Sequence, residues 1–204
     1  MLTIGICGAS GSGKTTLAEE LAARINGEAI LLNQDAYYQD HQELSFAERE
    51  RLNYDEPGIF EHDLLYRDLM ELISEQAIRK RAYDFTMHRR ADTDEMIAPK
   101  DVLILEGIHV FFDARVRGAL DFKIFVRVDP DICLLRRMQR DILERGRNVE
   151  GVANQYLNTV KPMFDRWIRN YIDYADIIVS GGGKNQRVVD ILAFYINNGM
   201  GAKA

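Results

Sequence analysis

Five short, nearly unbroken apolar runs punctuate the chain: Leu2 to Cys7, Ala29 to Leu32, Val102 to Leu105, Phe122 to Val128 and Ala175 to Val179. Continuous runs of this length, rather than alternating ones, are those of strands covered on both faces. Between them the apolar positions change to helical spacing. Leu17, Leu21 and Ile25 share one face, and Leu64, Leu65, Leu69, Leu72 and Ile73 predict a helix over 62–76. Asp129-Pro130-Asp131, with proline and acids in its first turn, opens a helix that continues through Arg145. A further helix is predicted from about Val152 to Tyr171 with a kink at Pro162, and a last one from Val188 to Ile196 after the turn Gly181-Gly182-Gly183. The span 44–52 is weakly amphipathic, Asn53 to Gly58 reads as a loop, and 77–98 as a small β-excursion. Strands alternating with helices predict a single α/β domain over 1–204, built on a doubly wound, parallel five-stranded sheet.

Chemistry enters at the end of the first run. Gly8-Ala9-Ser10-Gly11-Ser12-Gly13-Lys14-Thr15, followed by Thr16, fits G-x-x-x-x-G-K-[ST] between a predicted strand and a predicted helix. The glycines allow successive N–H groups to converge on an anion, to which the helix N-terminus adds its positive end. Lys14 is expected on a solvent-facing loop, reaching the outer phosphates of a nucleoside triphosphate, with the Thr15 hydroxyl on Mg²⁺. The fold class is therefore the three-layer P-loop NTPase type.

Composition narrows the partners. The 204 residues are 47% apolar and 28% charged, as in an ordinary folded domain. A net charge of −6 argues against a nucleic-acid partner. Cys7 and Cys133 have no metal-binding spacing, and no apolar run approaches a membrane span. A cytoplasmic location with no membrane partner is the expectation.

In a doubly wound sheet, ligands bind beyond the carboxyl ends of the strands. Asp35 follows the second run and Glu106 the third, so both carboxylates fall beside the phosphate loop. Two carboxylates near a triphosphate call for a cation between them. Glu106 stands at the Walker B position for Mg²⁺. Asp35 is either the general base for an attacking hydroxyl or simply the start of a turn. Arg136, Arg137, Arg140, Arg145 and Arg147 are either a solvated face laced by Arg137–Asp141 and Arg140–Glu144 pairs, or a lid over transferring phosphates across about 136–150. Tyr83, Phe85 and His88 carry no decisive signal alone.

The ordered set of motifs resembles the uridine kinase (uridine–cytidine kinase) family over nearly the whole chain. It comprises the loop Gly8 to Thr16, Gln34-Asp35-Ala36-Tyr37-Tyr38, Asn53-Tyr54-Asp55-Glu56-Pro57, Tyr83-Asp84-Phe85 with His88, and Leu105-Glu106-Gly107-Ile108. It continues through Arg136-Arg137, Arg140-Asp141-Ile142, Glu144-Arg145-Gly146-Arg147, Gln155-Tyr156, Val160-Lys161-Pro162 and Tyr174-Ala175-Asp176. The resemblance implies transfer of the γ-phosphoryl group of ATP, or of GTP, to the 5′-hydroxyl of uridine or cytidine. By resemblance Asp35 is the base, Asp55, Arg137 and Gln155 hold the ribose, and Tyr83, Phe85 and His88 in the insertion 77–98 read the pyrimidine. Arg140, Arg145 and Arg147 are the lid arginines, Asn185 with the preceding glycines lies by the adenine, and a homotetramer is implied. The chain departs from the family pattern at Tyr37, Arg81-Ala82, Arg89 and Cys133.

Two other readings share part of this set. A phosphoribulokinase-like or pantothenate kinase-like enzyme would keep the phosphate loop, Asp35 and Glu106 without needing Tyr83 or His88. A nucleotide-dependent switch or binding module is the other class; guanine-specific switches normally carry N-K-x-D, which does not occur.

Overall fold

A computed structural model describes residues 1–199. The strands β1 (Leu2–Gly8), β2 (Ala29–Asn33), β3 (Val102–Gly107), β4 (Phe122–Arg127) and β5 (Ile177–Ser180) form one parallel sheet in the order β2-β3-β1-β4-β5. The helices are α1 (Lys14–Ala22), α2 (Phe46–Arg49), α3 (His62–Ile73), α4 (Ala114–Gly118), α5 (Pro130–Arg145), α6 (Val149–Gln155), α7 (Lys161–Arg166) and α8 (Gln186–Gly199).

The apolar runs bury both faces of the sheet because alternate side chains serve opposite layers. Ile4, Ile6, Val102, Ile104, Ile124 and Val126 pack with Leu17 and Leu21 of α1 and Val189, Leu192 and Ile196 of α8. Cys7, Leu103, Leu105 and Phe125 face the other way, onto Leu65, Leu69 and Leu72 of α3, Val116 of α4, and Ile168 and Tyr171. Ile4, Ile6, Leu103, Ile104, Leu105 and Ile124 are wholly buried. Each such side chain contributes about 1.5–3 kcal/mol relative to exposure. The expected three layers are thus present.

The order places the chemistry. Glu106 in β3 is in register with Ile6 of β1 on one side and Asn33 of β2 on the other. The ends of β1, β2 and β3 therefore deliver the phosphate loop, Glu106 and Asp35 to one edge.

Some boundaries differ from the periodicity. The helix predicted over 62–76 stops at Ile73, and Glu75 at φ 61° reverses the chain. The span 44–52 holds only the single turn α2, fixed by a capping box between Ser45 and Glu48. The helix predicted over 152–171 is not one kinked rod. It divides into α6, a π-helical turn at Tyr156–Val160, α7 and a 3₁₀ segment at Ile168–Tyr174. Pro162 lacks an N–H and its ring would meet the carbonyl four residues earlier, so the chain widens before it. The β-excursion consists of two antiparallel ribbons, Ile78–Arg79 with Met96–Ile97 and Tyr83–Asp84 with Arg89–Arg90. Among the described residues no helix is long and apolar enough to cross a membrane.

Candidate active site

The loop after β1 turns through left-handed backbone at Gly11 (φ 81°) and Gly13 (φ 89°), the residue that begins α1. A Cβ on Gly11 would lie 2.3 Å from the Cys133 carbonyl oxygen at the start of α5, so only glycine fits this turn. Lys14 is buried rather than solvent-facing: its ammonium folds back over the loop and donates to the Ala9 carbonyl at 3.0 Å. That bond holds the ammonium over the loop.

Beside the loop, the Thr15 hydroxyl donates to Glu106 Oε1 at 3.0 Å. Burial raises the Glu106 carboxyl above its ordinary value, with nearby Asp35 pushing the same way and Lys14 opposing. Burial likewise raises Asp35, against the pull of Lys14, Arg145 and Arg140. The turn at 34–37 is made by the Asn33 side chain, which accepts from the Asp35 N–H at 2.7 Å. The Asp35 carboxyl is held instead by a hydrogen bond from Tyr38. It lines the cleft, where burial disfavours its ionised form. Thr15 and Glu106 supply hard oxygen donors in contact, which suits Mg²⁺, an ion that keeps several waters and takes phosphate oxygens. Among the described residues no group of three or more His, Cys, Asp or Glu could hold a metal ion. An ion here would need its remaining ligands from water and phosphate.

These groups line a cavity of about 450 Å³ with Ser10, Lys14, Thr16, Asp55, Tyr83, Phe85, His88, Arg137, Arg140, Arg145, Arg147 and Gln155. All the predicted acceptor residues are thus brought together with the phosphate loop. Asp55 is buried, its Oδ2 accepting from Thr159 at 3.0 Å and its Oδ1 3.6 Å from Arg137. Arg137 also donates to Ser10 Oγ and to Gln155 Oε1, each at 3.0 Å, spanning the phosphate and acceptor ends. The three rings of the excursion, Tyr83, Phe85 and His88, face the same space. His88, at φ 49°, stacks on Tyr54 with centroids 4.9 Å apart, while Arg49 holds the preceding Met87 carbonyl at 3.3 Å. Burial and the Arg147 charge lower the His88 pKa, leaving a neutral ring able to accept or donate.

Four of the five arginines, all but Arg136, converge on one carboxylate, and the expected Arg137–Asp141 pair is among the contacts. Wholly buried Asp141 lies 2.9 Å from Arg140, 3.5 Å from Arg137 and Arg145, and 3.8 Å from Arg147. Arg140 pairs with its neighbour Asp141 where the helical spacing suggested Glu144. One anion thus gathers four cations at the rim of the cleft, and Arg145 also stacks over the Phe85 ring at 4.1 Å. Gly146, at φ 65°, ends α5 and lets Arg147 turn inward.

Asn185 stands outside the cavity lining, where its Oδ1 accepts from the Val188 N–H at 3.4 Å at the start of α8. The glycine turn before it packs on the phosphate loop: a Cβ on Gly182 would lie 2.4 Å from the Ser12 carbonyl oxygen. Sequence reasoning missed Thr159 and His109. Buried His109 donates from Nε2 to the Asp55 carbonyl at 2.7 Å, and its Nδ1 accepts from the Tyr171 hydroxyl at 2.9 Å. Its signal was available, as the lone polar side chain in Ile108-His109-Val110-Phe111.

A phosphate loop, two cleft carboxylates and an arginine rim at the strand ends of a 2-3-1-4-5 parallel sheet define a P-loop phosphotransferase. The chain belongs to the phosphoribulokinase / uridine kinase family, whose model matches residues 3–187. It is 50% identical over 194 residues to a uridine kinase of Leuconostoc citreum, covering 94% of this chain and 92% of that one. A uridine kinase of Ligilactobacillus salivarius is 46% identical over 196 residues, 96% of this chain and 92% of the other. The fold is shared with phosphoribulokinase from Rhodobacter spheroides at a TM-score of 0.65 and 20% identity, over 88% of this chain and 69% of that one.

Proposed function

We propose that this kinase transfers the γ-phosphoryl group of ATP to the 5′-hydroxyl of uridine or cytidine, giving the nucleoside monophosphate. The observation that carries the reading is the continuity of one cavity from Lys14 through Asp35 to Tyr83 and His88. A small alcohol acceptor without a base would have no use for that aromatic end.

In this reading the loop N–H groups and Lys14 cradle the phosphates. Asp55, Arg137 and Gln155 take the ribose hydroxyls, and Tyr83, Phe85 and neutral His88 meet the pyrimidine face and edge. Asp35 accepts the 5′-hydroxyl proton as the oxygen attacks phosphorus. Arg140, Arg145 and Arg147 face the charge that spreads over the transferring group. Thr15 and, through water, Glu106 would hold Mg²⁺, which supplies charge neutralisation between the phosphate oxygens. GTP as a second donor, a cytoplasmic place in pyrimidine salvage and a homotetramer belong to the same reading.

The test is acceptor selectivity in variants. Tyr83→Phe and His88→Ala should raise KM for uridine and cytidine about 5- to 160-fold, the equivalent of about 1–3 kcal/mol, with KM for ATP unchanged. Equal losses toward every acceptor would remove these residues from base recognition.

A further inference from the structure

The loop 53–58, which carries Asp55, is held by side chains from outside it. Tyr38 donates to the Tyr54 carbonyl at 3.2 Å, His62 Nε2 to the Pro57 carbonyl at 2.8 Å, and His109 Nε2 to the Asp55 carbonyl at 2.7 Å. The His109 contact differs from the other two in what lies behind it. The His109 backbone N–H donates to Gln34 Oε1 at 2.8 Å, and Gln34 is itself wholly buried, immediately before Asp35. The Gln34 side chain packs closely over Gly107, where a Cβ would lie 2.5 Å from it. One residue therefore ties the side chain of Gln34, the neighbour of Asp35, to the backbone carbonyl of Asp55. The Tyr171 hydroxyl on Nδ1 leaves the proton on Nε2, the nitrogen that must donate.

We propose that His109 is a positioning residue for the acceptor: by joining Gln34 to the Asp55 carbonyl it fixes the distance between the Asp35 and Asp55 carboxyls. This rests on the acceptor reading above, in which Asp35 meets the reacting hydroxyl and Asp55 a neighbouring one. His109 is not itself among the cavity-lining residues and meets the lining through the Asp55 carbonyl. Its loss should therefore fall on the acceptor and spare the donor. Without it the Asp55 carbonyl becomes a buried acceptor lacking a donor, and the loop must shift to find one.

The experiment compares wild-type enzyme with His109→Leu, His109→Gln and Tyr171→Phe. It measures kcat, KM for ATP, and both KM and equilibrium Kd for uridine. For His109→Leu, KM and Kd for uridine should rise about tenfold while KM for ATP stays within about twofold. Gln keeps an N–H donor toward the carbonyl and should recover part of the loss; Tyr171→Phe, which only frees the tautomer, should show a smaller rise of the same kind. If the Leu variant does not fold, the Gln and Phe variants carry the comparison. A fall in melting temperature with unchanged uridine KM, equal losses for both substrates, or Gln no better than Leu would overturn the proposal. Should the wild-type enzyme turn over a different acceptor, the same split is read with that acceptor, which separates a wrong substrate from a wrong role for His109.

Discussion

Replacing Asp35 by Asn removes one charge and one proton acceptor while leaving almost the same volume. The structure says what should survive: the turn at 34–37 depends on the Asn33 side chain and the Asp35 backbone N–H, not on the Asp35 carboxyl. General-base assistance is worth about 10²–10⁴ in rate, or about 2.7–5.4 kcal/mol of barrier. We therefore expect kcat to fall by that factor, with the Kd for ATP and uridine little changed. Stability should move the other way. Burial raises the Asp35 pKa in the folded protein, so above that pKa the ionised carboxyl is held at a cost that Asn removes. The melting temperature at neutral pH should be equal to or higher than that of wild type. The acid limb of the wild-type rate should lie above the ordinary carboxylate range, activity being lost as pH falls through the raised pKa, and this limb should vanish in Asp35→Asn. Steady-state kinetics over pH, magnesium titration and calorimetric melting together decide it. Recovery of the rate at high magnesium would make Asp35 a metal-shell residue, and an undiminished kcat with lowered stability would refute the chemical role.

Lys14→Ala should reduce kcat by more than about 10²-fold, read as ADP release, while the melting temperature shifts by only a few degrees, since the lysine's protein partner is the loop's own Ala9 carbonyl. Removing Arg145 and Arg147 together should lower kcat by about 10²–10³ with a much smaller change in Kd for uridine, and a defect confined to uridine binding would place them outside phosphate chemistry. Gly11→Ala forces a side chain into left-handed backbone 2.3 Å from the Cys133 carbonyl, so ATP affinity measured by calorimetry should be largely lost even where circular dichroism shows the fold retained.

What the sequence revealed and what it hid divide along physical lines. The five strands were legible because strands buried on both faces need unbroken apolar runs, and the loop Gly8 to Thr15 because its turns admit only glycine at Gly11 and Gly13. Asp35 and Glu106 followed from their places at strand ends. The division of 149–174 into α, π and 3₁₀ turns was not legible, because Pro162 marks a break without saying how far it spreads. Spacing along α5 suggested Arg140–Glu144, yet the buried Asp141 wins, since a desolvated carboxylate draws every cation within reach. Thr159 and His109 were missed for a related reason: their partner, Asp55, lies far away in sequence and meets them only through the fold.

The alcohol that receives the phosphoryl group is the most direct test of the chemistry. With ATP and Mg²⁺ present, formation of ADP is followed with uridine, cytidine, ribulose 5-phosphate and pantothenate, and the phosphorylated product is located by ³¹P–¹H coupling. We predict turnover with uridine and cytidine, a 5′-phosphate product, and none above background with the other two. Turnover with ribulose 5-phosphate or pantothenate and none with either nucleoside would contradict the account.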